Sequence, residues 1–371
     1  ARRAGATILP MDSALAQTLE RVRAALADRT PLRVRGGGTK DFHGARALAG
    51  QPLDTRALTG VVAYEPSELV VTARAGTPLA ELEALLAAHG QCLPFEPPHY
   101  ASGATVGGMV AAGLSGPARA SVGAVRDYVL GVELVNGQAE LLRFGGQVMK
   151  NVAGYDVSRL MAGSWGRLGV LTEVSLKVLP MAPAEATLRF ACTQAEALAC
   201  LNAWCGQPLP LNASRWAEEG GQGVLSLRLR GAQAAVQAAC RTLGGERQDG
   251  TAAAGWQACR DQRLPWFAQR GAGHALWRLS VPDTAGELAL PPGAGAPLVE
   301  WHGALRWVQA PPACGPALHA AAAAVGGGAT LFRASCADGA GAGGHFEPQD
   351  PAAAAVQARV LQAFDPHGIF C

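Results

Sequence analysis

The hydrophobic positions divide the chain before any composition is counted. Over residues 13–27, Leu15, Leu19, Val22 and Leu26 recur three and four apart, the spacing of one helix face. "LRVR" (32–35) reads as a short strand, and 61–64 and 69–75 as two more. "GTPLAELEALLAAHG" (76–90) predicts a helix. Thr77 is its expected cap, Pro78 suits its first turn, Leu79, Leu82, Leu85 and Leu86 make its apolar face, and Gly90 stops it. "YVLGVELVNGQAELLRF" (128–144) predicts a hairpin turning at Asn136-Gly137. Residues 170–178 alternate, with Val170, Val174, Leu176 and Val178 on one face and Glu173, Ser175 and Lys177 on the other. The two prolines of "LPMAPAE" (179–185) mark a boundary. Beyond it tryptophans stand at 204, 216, 256, 266, 277, 301 and 307, among alanine-rich helical stretches such as 317–324 and short strands such as 224–229. The class is α+β.

Composition narrows what such a chain can be. Of 371 residues, 49% are hydrophobic and 16% charged, which excludes a disordered protein and gives room for more than one core. A net charge of +2 gives no footprint for nucleic acid. Residues 97–118 are uncharged, but Pro97, Pro98 and the glycines spoil them as a membrane span, and Arg2-Arg3 is not followed by the apolar core of a signal peptide. The expectation is a cytoplasmic chain that meets the inner membrane only through partners. The nine cysteines are scattered. The densest, Cys192, Cys200 and Cys205, match neither zinc nor ferredoxin spacing, so free thiols in a reducing compartment and no metal site are expected.

The 47 glycines cluster, and the clusters carry the chemistry. In "RGGGTK" (35–40) a strand runs into Gly36, Gly37 and Gly38, followed by Thr39 and Lys40. Consecutive amides after a strand make an anion nest, and Arg35 and Lys40 add charge, which fits a phosphate loop; a surface turn is the plainer alternative. A second cluster holds Gly107, Gly108, Gly113, Ser115, Gly116 and Gly123, with Ser102, Thr105 and Ser115 as hydroxyl donors. A third, Gly163 to Gly169, feeds the strand that starts at Val170. No Walker sequence occurs. A formal G-x-G-x-x-G at Gly339, Gly341 and Gly344 runs straight towards Pro348, so no helix opens there, and it reads as a loop.

The order RGGGTK, a Gly-Gly turn with Gly-Ala-Val-Arg-Asp downstream, then GSWGRLGVLTEVSLKVLP resembles the FAD-binding domain of the vanillyl-alcohol oxidase and p-cresol methylhydroxylase flavoproteins. "AFDPHGIF" (363–370) resembles that family's closing motif. The resemblance implies two subdomains around FAD, about 1–57 and 58–180, a smaller α+β cap or substrate domain at 181–345, and a segment 346–371 that returns to the first domain. "GLSGPARASVGAVRDYVLGVELVNG" and "KNVAGYDVSRLMAGSWGRLGVLTEV" resemble more narrowly the FAD-binding subunits of bacterial glycolate oxidases. This implies oxidation of glycolate, a small 2-hydroxy acid, to glyoxylate, in a complex with a larger flavin subunit and an iron–sulfur subunit.

By that resemblance Arg35 to Lys40 cradle the pyrophosphate. Thr105, Gly107, Gly108, Gly113, Ser115 and Gly116 line the flavin, and Gly123, Asp127, Gly169 and Val170 stand near the flavin or the adenosine half. Many members tether FAD to a histidine in the first glycine loop. Here the loop reads GGGTK and His43 lies past it, so FAD is expected to be held non-covalently. The H-x-H pair of related 2-hydroxy acid dehydrogenases does not occur. Two weak catalytic candidates remain. His302, with Glu300 and Arg306 in "EWHGALRW", reads either as a base beside a carboxylate anchor or as a satisfied core histidine. Tyr155, with Asp156 and Lys150, reads either as a group near the flavin or as a structural hydrogen-bonder.

Overall fold

A computed structural model describes residues 12–43, 49–146, 156–248, 250, 252–335 and 350–371. Two antiparallel sheets set the architecture. The first runs in the order Val61–Glu65, Val70–Arg74, Val170–Lys177, Val129–Val135, Leu141–Gly145. One of its faces holds a core of Val71, Ala73, Val132, Val174 and Leu176, closed by the helix Leu79–Ala88. Leu79, Leu82 and Leu86 of that helix are fully buried; each such burial contributes about 1.5–3 kcal/mol. Leu85 is only half-buried.

Three local expectations change. Thr77 does not cap the helix, which begins after Pro78 with no side-chain cap. The Thr77 hydroxyl is buried and needs partners, and it takes both from Gly60, donating to the carbonyl at 3.1 Å and accepting from the amide at 3.0 Å. The hairpin forms, but Val135 pairs with Leu141, so the turn spans 136–140 and is not a two-residue one. The Asn136 side chain takes the amides of Gln138 and Glu140. A Cβ on Gly137 would strike Asp365, so the glycine is there for the close approach of the chain's last segment. The strand Val170–Lys177 is covered on both faces: Ser175 bonds Thr72 at 2.8 Å, and Thr172 donates to Glu133 at 2.9 Å.

Beside this sheet, helix Ser13–Asp28 packs Leu19 and Val22 on a parallel pair, Leu32–Arg35 with Gln51–Asp54. The other end of the chain completes this unit. Helix Pro351–Phe364 lays Val360, Leu361 and Phe364 against the first core. The Asp365 carboxylate then accepts the amides of Ile369 and Phe370, and those residues run along Leu32, whose amide donates to Ile369 at 2.6 Å.

The second sheet has eight strands, in the order Glu246–Gln248, Ala184–Ala191, Gln222–Gly231, Leu211–Glu219, Leu298–Glu300, Leu305–Ala310, Ala275–Ser280, Gly328–Arg333. Helices Gln194–Cys205 and Gln233–Leu243 cover one stretch of it, and Gly315–Ala323 another. Its remaining face, with Leu276, Trp307 and Phe332, meets Ala112, Leu114, Phe42 and Tyr100 of the first part. Arg228 pins that boundary with an ion pair to Glu96 at 2.7 Å. Among the described residues, no helix is long and apolar enough to cross a membrane.

Candidate functional site

A cleft of about 200 Å³ opens where the strand Leu32–Arg35 ends. Arg33 to Asp41 form one wall, Thr105, Gly107 and Gly108 the floor, and Ser164, Trp165, Gly166 and Gly169 the far side. The three glycine clusters therefore meet in one place. Thr105 caps the short helix Val106–Ala112, its hydroxyl accepting from the Gly108 amide at 3.2 Å. The glycines at 36–38 have a purpose the sequence did not show. A Cβ on Gly37 would overlap the carbonyl of Gly103, and one on Gly36 would overlap the Thr105 hydroxyl. The first loop lies flush on the second, and side chains would force the two apart.

Not every expected residue reaches the cleft. Gly113 ends the helix Val106–Ala112 with φ 64°. Ser115 accepts from the Val125 amide, and Gly116 packs on Glu96. Asp127 holds the Ala124 amide at 2.8 Å beside Gly123, and Val170 is buried in the small apolar cluster with Leu32. These residues spend their polar atoms, or their lack of a side chain, on the local backbone. Tyr155 and Lys150, like Gly339, Gly341 and Gly344, lie outside the described residues. Asp156 caps the short helix Val157–Leu160 and pairs with Arg159.

The cations of the cleft are arranged differently from the expectation. Arg35 is neutralised by Asp41 at 2.8 Å. Lys40 lies 5.7 Å from the Tyr100 ring centre, and burial brings its pKa down to about 8. Arg33 is one of the residues that line the cleft, and among the described residues its buried Nε and Nη1 atoms have no partner. A buried guanidinium without an acceptor is costly, so this atom set calls for an anion. Sequence reasoning passed over it, although Arg33 and Arg35 share one side of the strand by simple alternation. Trp165 was also missed. It stands half-exposed in the far wall with φ 54°, stacked at 4.3 Å on His43, which turns back to line the cleft. Burial, then the charges of Arg278 and Arg333, push the His43 pKa down to about 4, so its imidazole is neutral at pH 7.

FAD fits this site. Its diphosphate is the kind of anion that Arg33 lacks, the glycine loop lines the same space, and the bare floor at Gly107 and Gly108 admits a flat group. A Cβ at Gly107 would already lie 2.7 Å from that of Ala75.

His302, Glu300 and Arg306 do not line the cleft. The His302 Nδ1 lies 3.1 Å from the Ser214 hydroxyl and its Nε2 2.9 Å from that of Ser121, across the boundary between the two parts. Burial lowers its pKa to about 4. Arg306 is fully buried and donates to the carbonyls of Gly303 and Ala285. Glu300 accepts from Cys259 and Trp307, each at 2.6 Å. A His302→Leu chain is expected to lose about 1 kcal/mol, because the Ser121 hydroxyl loses the imidazole and the buried Ser214 hydroxyl keeps only the residue-302 amide, while its FAD content is unchanged. Urea unfolding and the ratio of visible to ultraviolet absorbance check the two halves separately.

A family model described as an FAD binding domain matches residues 13–145. The glycolate oxidase subunit GlcE of Escherichia coli (strain K12) is 46% identical over 352 residues, covering 95% of this chain and 94% of that protein. The glycolate oxidase subunit GlcD of Bacillus subtilis (strain 168) is 30% identical over 161 residues, 43% of this chain and 34% of that one. A D-lactate dehydrogenase of Archaeoglobus fulgidus is 34% identical over 151 residues, 40% of this chain and 33% of that one. The chain thus spans about a third of the length of these last two. Among solved structures, an alkyldihydroxyacetonephosphate synthase superposes with a TM-score of 0.67 at 14% identity, over 95% of this chain and 74% of its own. That likeness is one of fold alone.

Proposed function

The chain belongs to the glycolate oxidase subunit GlcE family and carries an FAD-binding domain, and on that premise we propose that it is the FAD-binding subunit of a glycolate oxidase complex. The observation that carries the reading is the cleft itself, where three glycine loops converge on an unpartnered arginine. Arg33 and the amides of Gly36 to Thr39 hold the pyrophosphate. Thr105, Gly107 and Gly108 lie under the cofactor, and Trp165 walls it. Arg35 acts through Asp41, fixing the loop that leads to His43. FAD is held non-covalently.

When bound, FAD supplies the two-electron acceptor for converting a C–OH group to C=O. The chain's part is to orient the acid, exclude water and receive the hydroxyl proton. Glycolate losing a hydride from its carbinol carbon and a proton from its hydroxyl becomes glyoxylate. His43 in the cleft wall is held neutral by burial and the charges of Arg278 and Arg333, which suits it to orient the acid more than to take up that proton. The two electrons leave to an iron–sulfur partner subunit, and a larger flavin subunit completes the complex. Any contact with the membrane is made through those partners.

The test is an anaerobic visible spectrum of the purified chain, before and after glycolate, alone and with its partner subunits. A flavin band that glycolate bleaches in the assembled complex is the expected result. Bleaching of the chain alone would make it a self-sufficient oxidoreductase, and a chain that takes up no FAD would end the reading.

A further inference from the structure

At the boundary between the two sheets, three guanidinium groups are gathered, and among the described residues none is in an ion pair. Arg278 comes from the strand Ala275–Ser280 and Arg333 from the end of the neighbouring strand Gly328–Arg333. Arg119 comes from the first part of the chain, in the turn Arg119–Val122. Arg119 and Arg278 share one indole: their Cζ atoms lie 4.5 and 5.1 Å from the ring centre of Trp301, whose Nε1 is committed to the Gly116 carbonyl. Arg333 lies 3.4 Å from the centre of the Phe42 ring and 5.1 Å from that of Tyr100. Its Nε donates to the neutral amide oxygen of Gln262 at 3.0 Å.

The acids nearby are already used. Both Glu300 oxygens are taken by Cys259 and Trp307, Asp261 is held by Arg260 and Arg263, and Asp127, the acid nearest Arg119, accepts the Ala124 amide. Among the described residues, none of the three arginines enters an ion pair. Aromatic faces partly offset the desolvation of a guanidinium, at about 0.5–2 kcal/mol each, but they do not cancel the repulsion between like charges. Burial and mutual repulsion lower Arg278 to about 10, and burial lowers Arg333 to about 10, so both remain cations at neutral pH. Tyr100 beside them is pushed well above its ordinary range by burial and keeps its proton, so its hydroxyl remains a donor. The cluster adjoins the cofactor cleft through Lys40 and His43, which line it.

We propose that Arg278 and Arg333, with Arg119 behind them, bind the carboxylate of a small organic acid, so that this chain carries its own substrate-anchoring site. A guanidinium fork matches a carboxylate, and the surrounding rings of Phe42, Tyr100 and Trp301 leave a setting suited to a short monocarboxylate and poor for a heavily hydrated anion such as phosphate. The inference rests on the functional reading above in naming a 2-hydroxy acid as that carboxylate.

The experiment is calorimetric titration of the full chain, with FAD bound, using glycolate, acetate and inorganic phosphate. The wild type is expected to bind glycolate and acetate but not phosphate. Arg278→Met and Arg333→Met should each weaken glycolate binding about 10-fold to 100-fold, as loss of a charge-assisted hydrogen bond does, with FAD content unchanged. Arg278→Lys should recover part of the loss, and it serves where the methionine variant does not fold. Wild-type binding of phosphate alone, or of neither acid at millimolar concentration, overturns the proposal. So do variants that bind glycolate normally, and variants that lose FAD instead, which would assign these arginines to the cofactor. A chain that never retains FAD defeats the functional reading, and the same titration on the FAD-free chain then decides the arginine site by itself.

Discussion

A Gly37→Val chain is expected to purify colourless. The substitution is small, but the space for it is already filled: the new Cβ would overlap the Gly103 carbonyl, with the Ala104 amide 3.3 Å away. These are backbone atoms of the second loop and cannot rotate aside as a side chain could. Overpacking of a tight contact costs about 1–3 kcal/mol when neighbours can yield. Here the yielding must be a separation of the two loops that together frame the cleft. FAD affinity is therefore lost almost completely, while the second sheet, more than a hundred residues on in the chain, keeps its fold. Circular dichroism should show near-native secondary structure, and the visible spectrum no flavin band. A variant with its full flavin complement would show that this loop does not hold the cofactor.

The second prediction has opposite signs for stability and binding. An Arg33→Met chain should lose about 1.5–3 kcal/mol of FAD affinity, the usual worth of a charge-assisted contact. The FAD-free chain should meanwhile gain stability, because the variant removes buried donor atoms that have no partner. Thermal melts of the FAD-free chain, paired with FAD titration followed by tryptophan fluorescence, separate the two effects. A fall in both quantities would mean that Arg33 supports the fold and is not held ready for an anion.

The strands and helices were legible because their apolar spacing is unambiguous. The hairpin, the helix Leu79–Ala88 and the alternating strand all stand where periodicity puts them. What periodicity could not show is which partner a polar atom takes. Thr77 had the right chemistry for a cap, but the edge of Gly60 was nearer. Arg35 was legible as a cation of the loop; that Asp41, six residues on, pairs with it was not, nor that Arg33 keeps two unpartnered nitrogens among the described residues. His302 was the visible candidate because a histidine between a glutamate and an arginine resembles machinery. Its two serine partners, 88 and 181 positions away, occupy both ring nitrogens, and no local pattern could show them. Arg119, Arg278 and Arg333 lie far apart in the chain and share no motif, so only the folded chain brings them together. The glycines were found for a sound but incomplete reason: they admit a ligand, and they also admit one another's loops.

The seat of residues 369–371 along Leu32 joins positions 339 apart. Pairing at such separation is slow to form, since nearly the whole chain must be present before the contact repays the entropy of closing the loop. During synthesis the sheet that includes Val170–Lys177 can assemble early, whereas the strand that leads into the glycine loop waits for residues 369–371. Cofactor loading thus follows the docking of residues 369–371, and a chain lacking them should seat its glycine loop poorly.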